Sequence, residues 1–194
     1  MKYLNKLVNS DIVIENLSYE TSSDRIKIKS SLLREQYCFC AYSEKYICKI
    51  DEAHIEHFDP RLKKTQEDGY MNWYATLPWM NSHKPKKIGP YLPILLPSSP
   101  DITNRITYNI ATNTFEVVRL DDCEADNLIK YLGFNKFELV EERKKQINRI
   151  KLIFDTVGKD SMLLILSSHK EYVSFATALE HVFCIDLMPY ITAA

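Results

Sequence analysis

The residues best equipped for chemistry lie between Ile55 and Pro85. They read Ile55-Glu56-His57-Phe58-Asp59-Pro60, then Tyr70-Met71-Asn72-Trp73, then Met80-Asn81-Ser82-His83-Lys84. A hard divalent cation takes oxygen ligands, which a carboxylate and amide carbonyls supply. An imidazole that titrates near neutral pH can deprotonate a water beside it, and the cation neutralises charge building on a scissile phosphate. The expectation is one metal site for cutting phosphodiesters.

The same residues carry a resemblance. The order Cys40-Ala41-Tyr42-Ser43-Glu44, Ile55-Glu56-His57-Phe58-Asp59-Pro60, Tyr70-Met71-Asn72-Trp73 and Asn81-Ser82-His83-Lys84 resembles the HNH endonucleases. Within them it is most similar to the Septu and retron-associated (PtuB-like) branch of bacterial anti-phage systems. The resemblance implies a ββα-metal core gripping one Mg²⁺, Mn²⁺ or similar ion. It makes His57 the general base, Glu56 a metal-side carboxylate and Asn72 the residue that orients the base or the site backbone. Asn81 takes the closing metal position, with His83 as its substitute, and Lys84 faces phosphate. Many such relatives hold a structural zinc between two Cys-x-x-Cys pairs. Here those positions read Cys40, Ser43, Leu77 and Met80, and one thiol cannot close a four-ligand site. No structural zinc is expected, with Leu77 and Met80 packing in its place.

The implied partners are nucleic acid, DNA first and RNA or tRNA second, and an ABC- or SMC-type (PtuA-like) ATPase. A retron reverse transcriptase with its msDNA is a further one. The implied activity is that of a defence effector endonuclease. The rival reading is an HNH-fold subunit that has lost catalysis and only binds, and a weaker third is a structural subunit whose helices from Asp121 onward do all the work.

The elements that must position this set follow from local pattern. Ser22-Ser23-Asp24 precedes a helix expected to reach about Gln36, with Ile28, Leu32 and Leu33 at helical spacing. Asp11 to Glu15 has the composition of a strand. Tyr37 to Ile50 reads as irregular strand with a turn near Ser43-Glu44, and Ala53 to Phe58 as the strand bearing His57. On that strand His54 shares the face of Glu56 while His57 points the other way; His54 is an auxiliary ligand or a half-exposed histidine. Pro60 ends the strand, Arg61 to Gly69 is loop, and Tyr70 to Leu77 returns. Pro78 opens a short helix holding Asn81, and Pro85 stops it. Asp59 is read as a turn residue or as one that reaches the metal from the strand end, Trp79 as core, and Trp73 as either core or a base-stacking ring. Lys84, Lys86 and Lys87 are a solvated run or a phosphate contact, and His169 and His181 are surface residues.

Ile88 to Pro100 is proline-rich and extended. A hairpin is expected over Ile106–Tyr108 and Thr114–Val118. A helix capped by Asp121-Asp122 should end at Gly133, and a long one should run from about Lys136 to Val157, closed by Gly158. A short apolar segment then leads to a helix from Lys170 to Phe183.

The fold expected is α+β: an N-terminal segment over 1–36, the nuclease core over 37–90, and hairpin and helices over 91–194. The last part is either of one piece with the core or a docking appendage. At 194 residues and 45% hydrophobic the chain can build a real core. A net charge of −1 excludes a uniformly basic surface, so a partner is expected to supply part of the grip on nucleic acid. Five cysteines without regular spacing, and no evident secretory signal, point to reduced thiols in a cytoplasm. The longest apolar run, Met162 to Leu166, is far short of a membrane span. With four glycines and no phosphate-cradling loop, a nucleotide site is not expected.

Overall fold

The computed structural model describes residue 4 and residues 6 to 192. The chain is mixed α+β, with two separate antiparallel hairpins among the described residues and helices around them. The N-terminal part is two helices, α1 (Asp11–Ile14) and α2 (Ser22–Glu35). The expected strand at Asp11 to Glu15 is therefore a helix. The Ser10 hydroxyl accepts the Ile12 N–H and caps the turn, and only Ile12 is buried, so nothing favours an alternating pattern.

The first hairpin pairs β1 (His54–His57) with β2 (Trp73–Thr76) in the register His54↔Thr76, Glu56↔Tyr74 and His57↔Trp73. A 3₁₀ turn at Tyr70–Asn72 leads into β2, and α3 (Pro78–His83) leaves it. The strand, loop, return and short helix thus stand in the expected β-β-α order.

The hairpin is a wall with two faces, because side chains alternate along a strand. One face lays Ile55, Trp73 and Ala75 on Ile12, Ile28 and Leu32 of the N-terminal helices. The other turns Tyr74 into the main core. The second edge of β2 is covered by Gln36, whose amide pairs with both the N–H and the C=O of Ala75 at 2.9 Å each. Ala41 N donates to the same carbonyl at 3.0 Å, and Phe39 bridges Tyr46 around the expected turn.

Beyond the cis Leu92-Pro93 bond come α4 (Ile102–Arg105), β3 (Ile106–Asn109), β4 (Thr114–Val117) and α5 (Cys123–Leu132). Asp122 caps α5 by accepting Ala125 N, and Gly133 ends it in the left-handed region at φ 64°. The long α6 spans Phe137–Ser168 but is broken at Gly158, where φ 79° and ψ 173° suit glycine alone. Gly158 does close the first stretch, and the apolar segment after it is helical rather than irregular. The single helix expected from Lys170 to Phe183 is instead a 3₁₀ turn (Lys170–Val173) and α7 (Ala176–Phe183). Phe175, at φ 62°, forces the separation. α8 (Met188–Thr192) follows.

One continuous buried cluster runs from Phe39 through Tyr74 and Met80 to Ile150, Leu179 and Ile191. No helix among the described residues is long and apolar enough to cross a membrane.

Candidate active site on the first hairpin

His57 ends β1 with its ring on the face turned toward the N-terminal helices. Its Nε2 lies 3.1 Å from Oδ2 of Asp68. Asp68 is itself fixed: Oδ1 accepts Trp73 Nε1–H at 2.7 Å and Oδ2 accepts Lys64 N at 3.2 Å. A carboxylate accepts, so the imidazole proton sits on Nε2 and the lone pair on Nδ1. Among the described residues Nδ1 has no hydrogen-bond partner, yet it is not one of the fully enclosed unpartnered atoms. It is the atom that can take a proton from water. Burial, which favours the neutral ring, holds the imidazole below its ordinary value, against the opposing pull of Asp68. The residue as a whole is only 5% exposed. Tyr19 packs edge-to-face on it at 4.5 Å between ring centres.

Asn72 bonds the backbone of Asp59. Its Oδ1 accepts Asp59 N at 2.7 Å and its Nδ2 donates to Asp59 O at 3.0 Å, while its own carbonyl accepts Phe58 N at 2.9 Å. The chain leaving His57 is thereby clamped to the chain entering β2. Asp59 is a turn residue, paired with Arg61 at 2.6 Å.

The opposite face of β1 carries Glu56 and His54. Glu56 Oε1 meets Lys84 Nζ at 2.6 Å, both side chains being under a tenth exposed. The ammonium also donates to His57 O, Phe58 O and Tyr131 Oη at 2.9 to 3.1 Å. Burial pushes the Glu56 carboxyl up and the Lys84 ammonium down, and each opposes the shift in the other. This corrects the expectation for Lys84: it faces the protein interior, not phosphate, because Tyr131 of α5 closes over it. Lys86 and Lys87 are exposed as expected.

His83 is also corrected as a ligand. Its ring stacks on Trp79 at 4.1 Å and 18°, and its Nδ1 lies 2.8 Å from Trp79 O, so that nitrogen is already engaged. His54 takes the place near Asn81, with Nδ1 at 3.3 Å from Asn81 Nδ2. Half a turn of the Asn81 amide would present its oxygen at the same point.

Among the described residues no three His, Cys, Asp or Glu side chains gather as a metal site. Residues of this face that could supply donors are His54 and Asn81, which touch each other, and Glu56, whose carboxylate Lys84 engages. One imidazole, one amide and one carboxylate fit a divalent cation that keeps several waters. Cys40 Sγ accepts Leu77 N at 3.4 Å, and Cys40 and Met80 belong to the main buried cluster with Leu77 partly buried against it.

Trp73 is buried core and the anchor of Asp68 rather than an exposed stacking ring. Asp68 itself escapes a sequence reading, since Asp68-Gly69 carries the signature of a turn. Compared with protein-family models, with curated proteins and with solved structures, the chain matches none.

Proposed function

We propose that this protein is a metal-dependent phosphodiester hydrolase of the HNH type. The observation that carries this reading is the Asp68-backed His57, with Nδ1 unpartnered, at the end of the first strand of a β-β-α element. In the mechanism, His57 Nδ1 takes the proton of the attacking water. Asp68 holds the tautomer and stabilises the imidazolium that forms. Asn72 keeps the strand end fixed while charge develops. A divalent cation on Glu56, Asn81 and His54, Mg²⁺ or Mn²⁺, would neutralise charge on the phosphate.

By its resemblance the chain acts as the effector nuclease of a bacterial anti-phage system of Septu or retron type, in the cytoplasm. It is licensed by an ABC- or SMC-like ATPase, with a retron reverse transcriptase and its msDNA as a further partner. DNA is the first substrate, and RNA or tRNA the alternative.

A second reading has its own support. The Glu56–Lys84 pair already neutralises the carboxylate, and Tyr19 covers the imidazole. Both suit an HNH-fold subunit that binds without cutting. His57→Gln separates the two. The hydrolase reading expects it to abolish cleavage of plasmid DNA in Mg²⁺ or Mn²⁺ while leaving thermal stability near wild type. Cleavage at the parental rate by the variant would end that reading.

A further inference from the structure

Three side chains outside the expected motif gather at the mouth of the His57–Asp68 pair. Tyr19, on the loop between α1 and α2, lies against the imidazole. Lys63 Nζ stands 5.2 Å, and the Arg25 guanidinium 5.7 Å, from the centre of the same Tyr19 ring. Neither cation makes an ion pair with a carboxylate among the described residues; the side-chain bond of Arg25 goes to Ser22 Oγ at 2.8 Å. Their neighbours behave otherwise: Lys27, Arg34 and Arg61 are each paired with an acid at 2.6 to 2.7 Å. The charge of Lys63 acts on both His57 and Glu56, which sit on opposite faces of β1.

Contacts of exposed cations with an aromatic ring are worth only about 0.5–1 kcal/mol. A phosphate offers charge-assisted hydrogen bonds that are stronger, and an aromatic ring gives an unpaired base a surface to stack on. We propose that Arg25, Lys63 and Tyr19 form the rim that receives a nucleic-acid strand over His57. Arg25 and Lys63 hold phosphates, and Tyr19 swings off the imidazole to stack on a base. The proposal rests on the hydrolase reading for its purpose, but binding is measured without turnover, so the two fail separately.

The test is fluorescence anisotropy in EDTA with labelled DNA, single-stranded and duplex, and with RNA of the same sequence. The paired change Arg25→Ala with Lys63→Ala should weaken binding about tenfold and lower the slope of log affinity against log salt by about 2. The strand type that loses most identifies the substrate. Lys86→Ala with Lys87→Ala should bind as wild type. Unchanged affinity in the first pair, loss confined to the second, or no binding by the wild type each overturn the rim. Tyr19→Ala should speed carbethoxylation of His57 several-fold, read by mass spectrometry, and Tyr19→Phe should not. An unchanged rate in Tyr19→Ala removes the ring from the proposal. Retained binding dependence on Arg25 and Lys63 beside a cleaving His57→Gln would keep the rim and discard the base.

Discussion

His57 and Glu56 are neighbours in sequence and face opposite ways on β1. In the proposed hydrolase His57 is the base, and Asp68 fixes its tautomer from 3.1 Å away. The sign of its pH dependence follows from its burial. The folded ring titrates below the value of about 6.5 for a free imidazole. Folding then disfavours the charged ring, so this residue's contribution to stability is complete above pH ~6.5 and is lost as pH falls through the lower folded value. Asp68→Asn removes the group that raises that value and the acceptor that sets the tautomer. The acid limb of the cleavage profile should move to lower pH, and the neutral-pH rate should drop about 10²- to 10⁴-fold. An unmoved limb with an unchanged rate would show that Asp68 only fills space. The alternation that separates His54 from His57 is legible in the sequence because it depends on spacing within one strand. Asp68 and the burial of Lys84 are not, because each depends on a partner brought by the tertiary fold. Tyr131, which closes over Lys84, is 47 residues away in the chain.

Among the elements, β1 is held on both sides of its carboxyl end. Asn72 clamps it from the return strand, and Lys84, at the end of α3, donates to the carbonyls of His57 and Phe58. The β-β-α order is readable from Pro60, Gly69 and Pro78, which punctuate it. The short helix at Asp11–Ile14 is not readable, since a run of four residues with three apolar ones lacks a period and is decided by the Ser10 cap. The Lys84 lock gives an element-scale prediction. Lys84→Met strands the Glu56 carboxylate in a buried site and should cost about 3–5 kcal/mol in urea unfolding. Glu56→Gln added to it should recover a large part of that loss, because no uncompensated charge remains. If the double variant is as unstable as the sum of the singles, the pair is not coupled and the lock is held by the carbonyl contacts alone.

At the scale of the molecule, residues 91–194 either belong with the first hairpin or hang from it. The buried cluster passes without interruption from Phe39 to Ile191, and one carboxylate shows how the ends are tied. Glu44, in the turn between Cys40 and Lys45, is 7% exposed. It accepts Thr177 N at 2.9 Å and Thr177 Oγ1 at 2.7 Å, while its own carbonyl accepts Phe175 N at 2.8 Å. The first turn of α7 has no cap of its own, as Phe175 offers none, so Glu44 supplies it from across the fold. An anion at a helix N-terminus also meets the favourable end of the helix dipole. Glu44→Ala should then cost about 1–2 kcal/mol, a loss that the whole chain shares. Trp73 and Trp79 report on the first hairpin and α3 through fluorescence, while circular dichroism reports mainly on the helices. If knuckle and C-terminal helices form one cooperative unit, the two signals should shift together to a lower midpoint. Helix signal lost ahead of tryptophan signal, in wild type or variant, would make the C-terminal region a separately melting attachment to the hairpin.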